Sequence, residues 1–151
     1  MDLRERINGA LKDAMRAKDA ARLSALRLMT SAFKDREIEL RATGTALDEP
    51  AMLQVLGKMV KQRQESAKVY DEGGRPELAA KERAEITVIE GFLPRQLSEA
   101  EVAAAIEAAV AETGAASIKD MGRVMGALKA RHTGQMDFGA AGALIKARLG
   151  A

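Results

Sequence analysis

Met121–Leu149 reads MGRVMGALKARHTGQMDFGAAGALIKARL. Apolar residues recur every three or four positions on both sides of a central break, which is helical rather than strand spacing. His132-Thr133-Gly134-Gln135 supplies a glycine-containing turn, and Asp137 is placed to cap a closing helix. The stretch therefore predicts two short helices, Ile118 to about Ala130 and a last one after Asp137. The expected inner faces are Ile118, Met121, Met125 and Leu128, then Phe138, Ala141, Leu144, Ile145 and Leu149. Two Met-Gly pairs stand four residues apart, and His132 is the only histidine of the chain. From Thr113 onward Lys119, Arg123, Lys129, Arg131, Lys146 and Arg148 face only Asp120 and Asp137, six positive charges against two negative.

Upstream, Ser98 with Glu101 forms a capping box ahead of a helix from Glu99 to about Glu112, with Val102, Ile106, Ala109 and Val110 on one face. Every charged residue of that helix is acidic. Phe92-Leu93-Pro94 marks a boundary, because the residue before proline is driven toward extended backbone. Residues 98–151 are thus expected to form a compact three-helix domain and residues 1–93 a separate N-terminal domain.

Four helices are expected in that first part. Leu3, Ile7, Leu11, Ala14 and Met15 define the first, and Asp19 breaks or caps the chain after it. Ala20–Arg41 carries a main stripe of Leu23, Leu26, Met29, Thr30, Phe33 and Leu40, with a partial second one of Leu28, Ala32 and Ile38, which predicts contact on two sides. Gly44 is placed as a left-handed stop, and Asp48-Glu49-Pro50 starts the third helix. Gly73-Gly74-Arg75-Pro76 turns the chain into the fourth. Arg63, Glu82 and Glu85 fall near the apolar sides of the third and fourth helices, so an antiparallel hairpin would bring Arg63 to one of the two acids as a structural ion pair.

Composition agrees with an all-α protein. Alanine, Leu, Lys, Arg, Glu and Met dominate, Trp and Cys are absent, and β-branched and aromatic residues are few. Hydrophobic residues make up 47% and charged residues of both signs 30%, a folded rather than a disordered balance. Without cysteine there are no disulfides and no thiolate chemistry, which fits a cytoplasmic protein. No apolar run reaches the roughly 18 residues of a membrane span, and MDLRERINGALKDAM, with its alternating charge, does not read as a secretory signal.

Chemistry is harder to find. Ser98 and Ser117 are accounted for as caps, no GxSxG elbow or Gly-rich phosphate loop occurs, and His132 has no second His or Cys to share a metal. We expect no catalytic residue, no metal and no cofactor. Basic side chains, by contrast, attract phosphates in a salt-dependent manner. Gly122 and Gly126 bare a strip of helix, either for a close-packed neighbour or for a ligand. The candidate nucleic-acid contacts are Gly122, Arg123, Gly126, Lys129, Arg131, Lys146 and Arg148. His132 is expected as an exposed turn residue.

Five segments together resemble a known family: LRLMTSAFKDREIE (26–39), KQRQESAKVYDEGGRPELAAKERAEI (61–86), FLPRQLS (92–98), MGRVMGALK (121–129) and the closing helix. The chain resembles the GatB/YqeY domain family, specifically its small stand-alone YqeY-like proteins, over nearly its whole length. The three-helix end is similar to the tail of the B subunit of glutamine-dependent aminoacyl-tRNA amidotransferase, which acts on Glu-tRNA or Asp-tRNA. What that resemblance implies is a non-catalytic tRNA-binding accessory protein, with tRNA and the amidotransferase machinery as partners. A family-level label of carbon–nitrogen ligase activity with glutamine as nitrogen donor would attach without the machinery for it. Two departures stand out. The basic residue that follows the second methionine in the tail is displaced here to Lys129, and the tail's Gly-Lys turn reads Gly134-Gln135. The alternative expectation is a protein–protein adaptor or homo-oligomeric helical module, built on the N-terminal amphipathic stripes.

Overall fold

The computed structural model describes residues 1–150, and among them all regular structure is helical. The chain divides into two compact units, Met1–Leu93 and Pro94–Ala151. The first holds α1 (Leu3–Arg16), α2 (Ala20–Arg41), α3 (Glu49–Glu72) and α4 (Pro76–Glu90). Its helix starts follow the expected chemistry. The side chains of Asp2, Asp19 and Asp48 accept the N–H groups of Glu5, Arg22 and Ala51, answering donors that the first turn leaves unpaired. Between α1 and α2 the turn is made by Lys18 at φ 54°, a left-handed conformation for a residue with a side chain.

Arg4, at the start of α1, donates to Glu37 near the end of α2 at 2.7 Å, so these helices run antiparallel. The α3–α4 hairpin is closed at its tip by Arg83 with Asp71 and further along by Arg63, which meets Glu85 at 2.8 Å. Glu82 is therefore not the partner. The core between the helices is led by Leu3, Ile7, Leu26, Met29, Leu56 and Ile89. Arg6 covers its lower end, lying 5.5 Å over the Phe92 ring and donating to the Gly91 carbonyl. Of the expected second stripe on α2, Ala32 is half-buried against this core, but Leu28 and Ile38 are not. Leu28 is 42% and Ile38 54% exposed, because the buried face of α2 is centred on Ala25, Leu26, Met29 and Phe33.

The second unit holds α5 (Glu99–Thr113), a single 3-10 turn (Ile118–Asp120), α6 (Met121–His132) and α7 (Phe138–Gly150). Ser98 and Glu101 form the expected reciprocal cap, and Gly114 ends α5 in the left-handed region at φ 66°. The core is Ile106, Ala109, Val110, Val124, Leu128, Ala141, Ile145 and Leu149.

Two inner faces differ from expectation. Ile118 lies on the 3-10 turn ahead of α6 and is 45% exposed, while Val124, not on the expected face, is fully buried. Contact with α5 on one side and α7 on the other widens the buried arc of α6 until it includes Val124. On α7, Leu144 is 53% exposed and Gly142 is buried in its place. A Cβ at Gly142 would stand 3.4 Å from the Met125 methyl and 3.6 Å from that of Met121. The missing side chain lets both methionines settle on the α7 backbone, and Leu144 is turned away from the core. The close approach between helices is thus made at Gly142.

Candidate nucleic-acid interface

Gly122 and Gly126 lie on the outer face of α6, and a Cβ at either would meet nothing within 4 Å. Among the described residues they serve no helix packing. Helical spacing puts Lys129 on their side and Arg123 with Ala130 on the adjoining flank. Lys129 is exposed and sits 6.0 Å from the Phe138 ring centroid.

The three arginines have other engagements. Arg123 donates to the Thr113 carbonyl at 3.0 Å and pairs with Asp120. Asp120 in turn accepts the N–H groups of Ala116 and Ser117. With the Ala116 N–H as the largest influence and the Arg123 guanidinium next, its carboxyl is held down at about 2. Arg131 meets Glu112 at 2.9 Å, and Arg148 meets Glu107 at 2.7 Å. These two pairs join α6 and α7 to α5. The acidic helix and the basic end that follows it thus answer each other within one unit. From Pro94 on, seven Lys and Arg stand against six Asp and Glu, leaving +1. Lys119, Lys129 and Lys146 are exposed and make no ion pair among the described residues.

The α6–α7 turn is also engaged. Gln96 donates to the Gly134 carbonyl at 2.7 Å, the Leu97 N–H to the Gln135 carbonyl at 2.9 Å, and the Gln135 amide to the Arg95 carbonyl. His132 is the last residue of α6 and half-buried, its Nδ1 3.0 Å from Gln135 Oε1. It is not the exposed turn residue expected, because Gln135 folds back over the helix end. At the entry to the unit, Arg95 makes a two-pronged pair with Glu101, and with the Ser98 N–H this holds the Glu101 carboxyl at about 2.

The seven candidate residues therefore separate into an open strip (Gly122, Gly126), two exposed cations (Lys129, Lys146) and three arginines that tie helices or loops. Sequence reasoning missed Lys119, which stands among the unpaired cations, and the close-approach role of Gly142, whose Ala-Gly-Ala setting reads as ordinary helix. Among the described residues no cluster of three His, Asp or Glu is gathered for a metal ion, and no helix is long and apolar enough to cross a membrane.

A family model described as "Yqey-like protein" matches residues 4–149. The curated protein "Altered inheritance of mitochondria protein 41, mitochondrial" of Saccharomyces cerevisiae is 36% identical over 87 residues, 58% of this chain and 46% of that protein. Its counterpart in Lachancea thermotolerans is 36% identical over 98 residues, 64% and 51% of the two chains. That of Vanderwaltozyma polyspora is 36% identical over 83 residues, 55% and 44%. The aligned part spans about half the length of these relatives.

Proposed function

The chain belongs to the Yqey-like protein family, and on that footing we propose that it is a non-catalytic tRNA-binding accessory protein whose second unit carries the RNA contact. The observation that carries the reading is the open strip of α6. A glycine inside an exposed helix is about 1 kcal/mol less stable than alanine. Gly122 and Gly126 incur that cost twice, with nothing among the described residues packed against either. A partner outside the chain can use the bared backbone, and Lys129 beside it supplies charge for a phosphate. Lys119 and Lys146 add unpaired cations, whereas Arg123, Arg131 and Arg148 act by holding the unit together. Phe138 is half-buried and the unit has no exposed aromatic platform, which suits backbone and shape recognition of structured RNA rather than base stacking. The resemblance to the amidotransferase tail supports tRNA as the ligand and aminoacyl-tRNA amidation machinery as the setting. Such a ligand requires a compartment that makes protein: the cytoplasm on the sequence reading, a mitochondrion by the printed name of the yeast relatives.

The test is fluorescence anisotropy of the whole chain with bulk tRNA at low and moderate salt, beside duplex DNA. Micromolar or tighter binding that weakens with salt and exceeds that of DNA is the expected result. Equal affinity for both, or none at low salt, would remove the RNA reading.

A further inference from the structure

One side of α2 carries a seam that the first unit leaves uncovered. Ala20, Ser24, Arg27, Ser31, Lys34, Ile38 and Arg41 follow one another at alternating steps of four and three, so they line one exposed face of the helix. Two hollows lie along it in succession. The first, about 300 Å³, is an open depression on the surface of α2 alone, with Leu23 and Leu28 in its wall beside Ser24, Arg27 and Ser31. The second, about 320 Å³, lies between α1 and α2, with Ile7, Phe33 and Ile38 against Lys34 and Arg41 and the Arg4–Glu37 pair also in its wall. Arg27, Lys34 and Arg41 recur every seventh residue, about 10.5 Å apart. All three are exposed and none makes an ion pair among the described residues. Of the nearby acids Glu37 is taken by Arg4, and Asp35 stands one residue off the seam.

We propose that this face docks an amphipathic helix of a partner protein that carries acidic residues at heptad spacing and an apolar side chain for each hollow. The charge row selects the occupant. A second copy of α2 laid antiparallel would set Arg27, Lys34 and Arg41 against the same three residues, which repels it. The chain's own acidic helix, α5, has Glu101, Glu107 and Glu112 committed to arginines. An RNA backbone would satisfy the cations and leave Leu28 and Ile38 in water, and Phe33, 4% exposed, offers no ring to stack on. A helix with paired acidic and apolar faces meets both demands at once. The proposal is independent of the tRNA reading, which concerns the second unit.

The experiment uses the full chain and a synthetic 21-residue helix with Leu at the a and d positions of three heptads and Glu at e and g, beside a counterpart with Lys for Glu. Anisotropy should show the acidic helix binding more tightly and weakening with salt. Charge reversal at Arg27, Lys34 and Arg41 (R27E, K34E and R41E together) should cost the acidic helix about tenfold, the combined effect of three exposed ion pairs that are each weak, and favour the lysine helix. Ile38→Asp should also weaken binding about tenfold, Leu28→Gln serving as the milder second variant. Lys129→Gln with Lys146→Gln in the second unit should leave binding unchanged. Equal affinity for the two helices, or indifference to the charge reversal, would overturn the proposal. So would a charge reversal that abolishes tRNA binding while the acidic helix never binds, since the row would then be a nucleic-acid surface. A sedimentation dimer dispersed by Ile38→Asp would overturn it by giving the face to a second copy.

Discussion

Across the α3–α4 hairpin the Arg63 guanidinium donates to the Glu85 carboxylate at 2.8 Å, with both side chains only 15% exposed. Arg63 also donates to the Met59 carbonyl one turn back on its own helix. Removing one member of such a pair strands the other in low-dielectric surroundings, while replacing both by apolar groups of similar size leaves nothing unpaired. Arg63→Met should therefore cost about 3 kcal/mol, and adding Glu85→Leu should recover most of it. Urea unfolding followed by fluorescence of Tyr70, the only tyrosine, reports on the first unit. A double variant no more stable than the single one would show that the pair itself carries the stability.

The bare strip on α6 makes an opposed pair of predictions. Gly122→Ala and Gly126→Ala add a methyl that meets nothing within 4 Å, so each should stabilise the second unit by about 1 kcal/mol. The same methyls thicken the surface offered to RNA, and tRNA affinity should fall. Stability gained with tRNA affinity unchanged would remove the strip from the binding site.

Lysines and arginines of the second unit should separate by phenotype. Lys129→Gln with Lys146→Gln should leave the thermal midpoint within a degree or two and reduce the salt slope of tRNA binding by about two. Arg131→Gln with Arg148→Gln breaks the ties to Glu112 and Glu107. It should lower stability slightly, as exposed pairs contribute at most about 1 kcal/mol each.

Acid should loosen the second unit in a defined window. The carboxyls of Glu101 and Asp120 are held at about 2 by donors that exist only in the folded chain, against ordinary values of 4.5 and 3.8. A depressed folded pKa stabilises above the unfolded value, and that contribution fades as the pH falls toward the folded one. Stability should thus drop between about pH 4.5 and 2. Glu101→Gln should lower stability at pH 7 and flatten that drop. The ring protons of His132, the single histidine, report on this unit by NMR. An unchanged pH profile in Glu101→Gln would assign the acid sensitivity to other carboxyls.

Much of the fold is written locally. The caps at Asp19, Asp48 and Ser98, the left-handed glycines at 44 and 114 and the proline at the start of α4 act within a few residues, so the sequence displays them directly. Arg63 with Glu85 was legible because an antiparallel hairpin constrains which positions can meet. The candidate site was less so. Seven residues could be nominated by type and spacing, yet whether Arg131 or Arg148 faces solvent or an acid depends on Glu112 and Glu107 of another helix. The net +4 read after Thr113 counts a tail apart from the acidic helix it folds against.

By itself the sequence determined that this chain is helical, where most helices begin and end, and which family it belongs to, since propensity, capping and motif order are properties of neighbouring residues. Tertiary structure alone decided that Gly142 and not Gly122 or Gly126 admits the methionines, that Val124 goes in and Leu144 out, and that α2 keeps a basic seam uncovered. Those outcomes depend on which faces of several helices come together, and a helical period states only that a face exists.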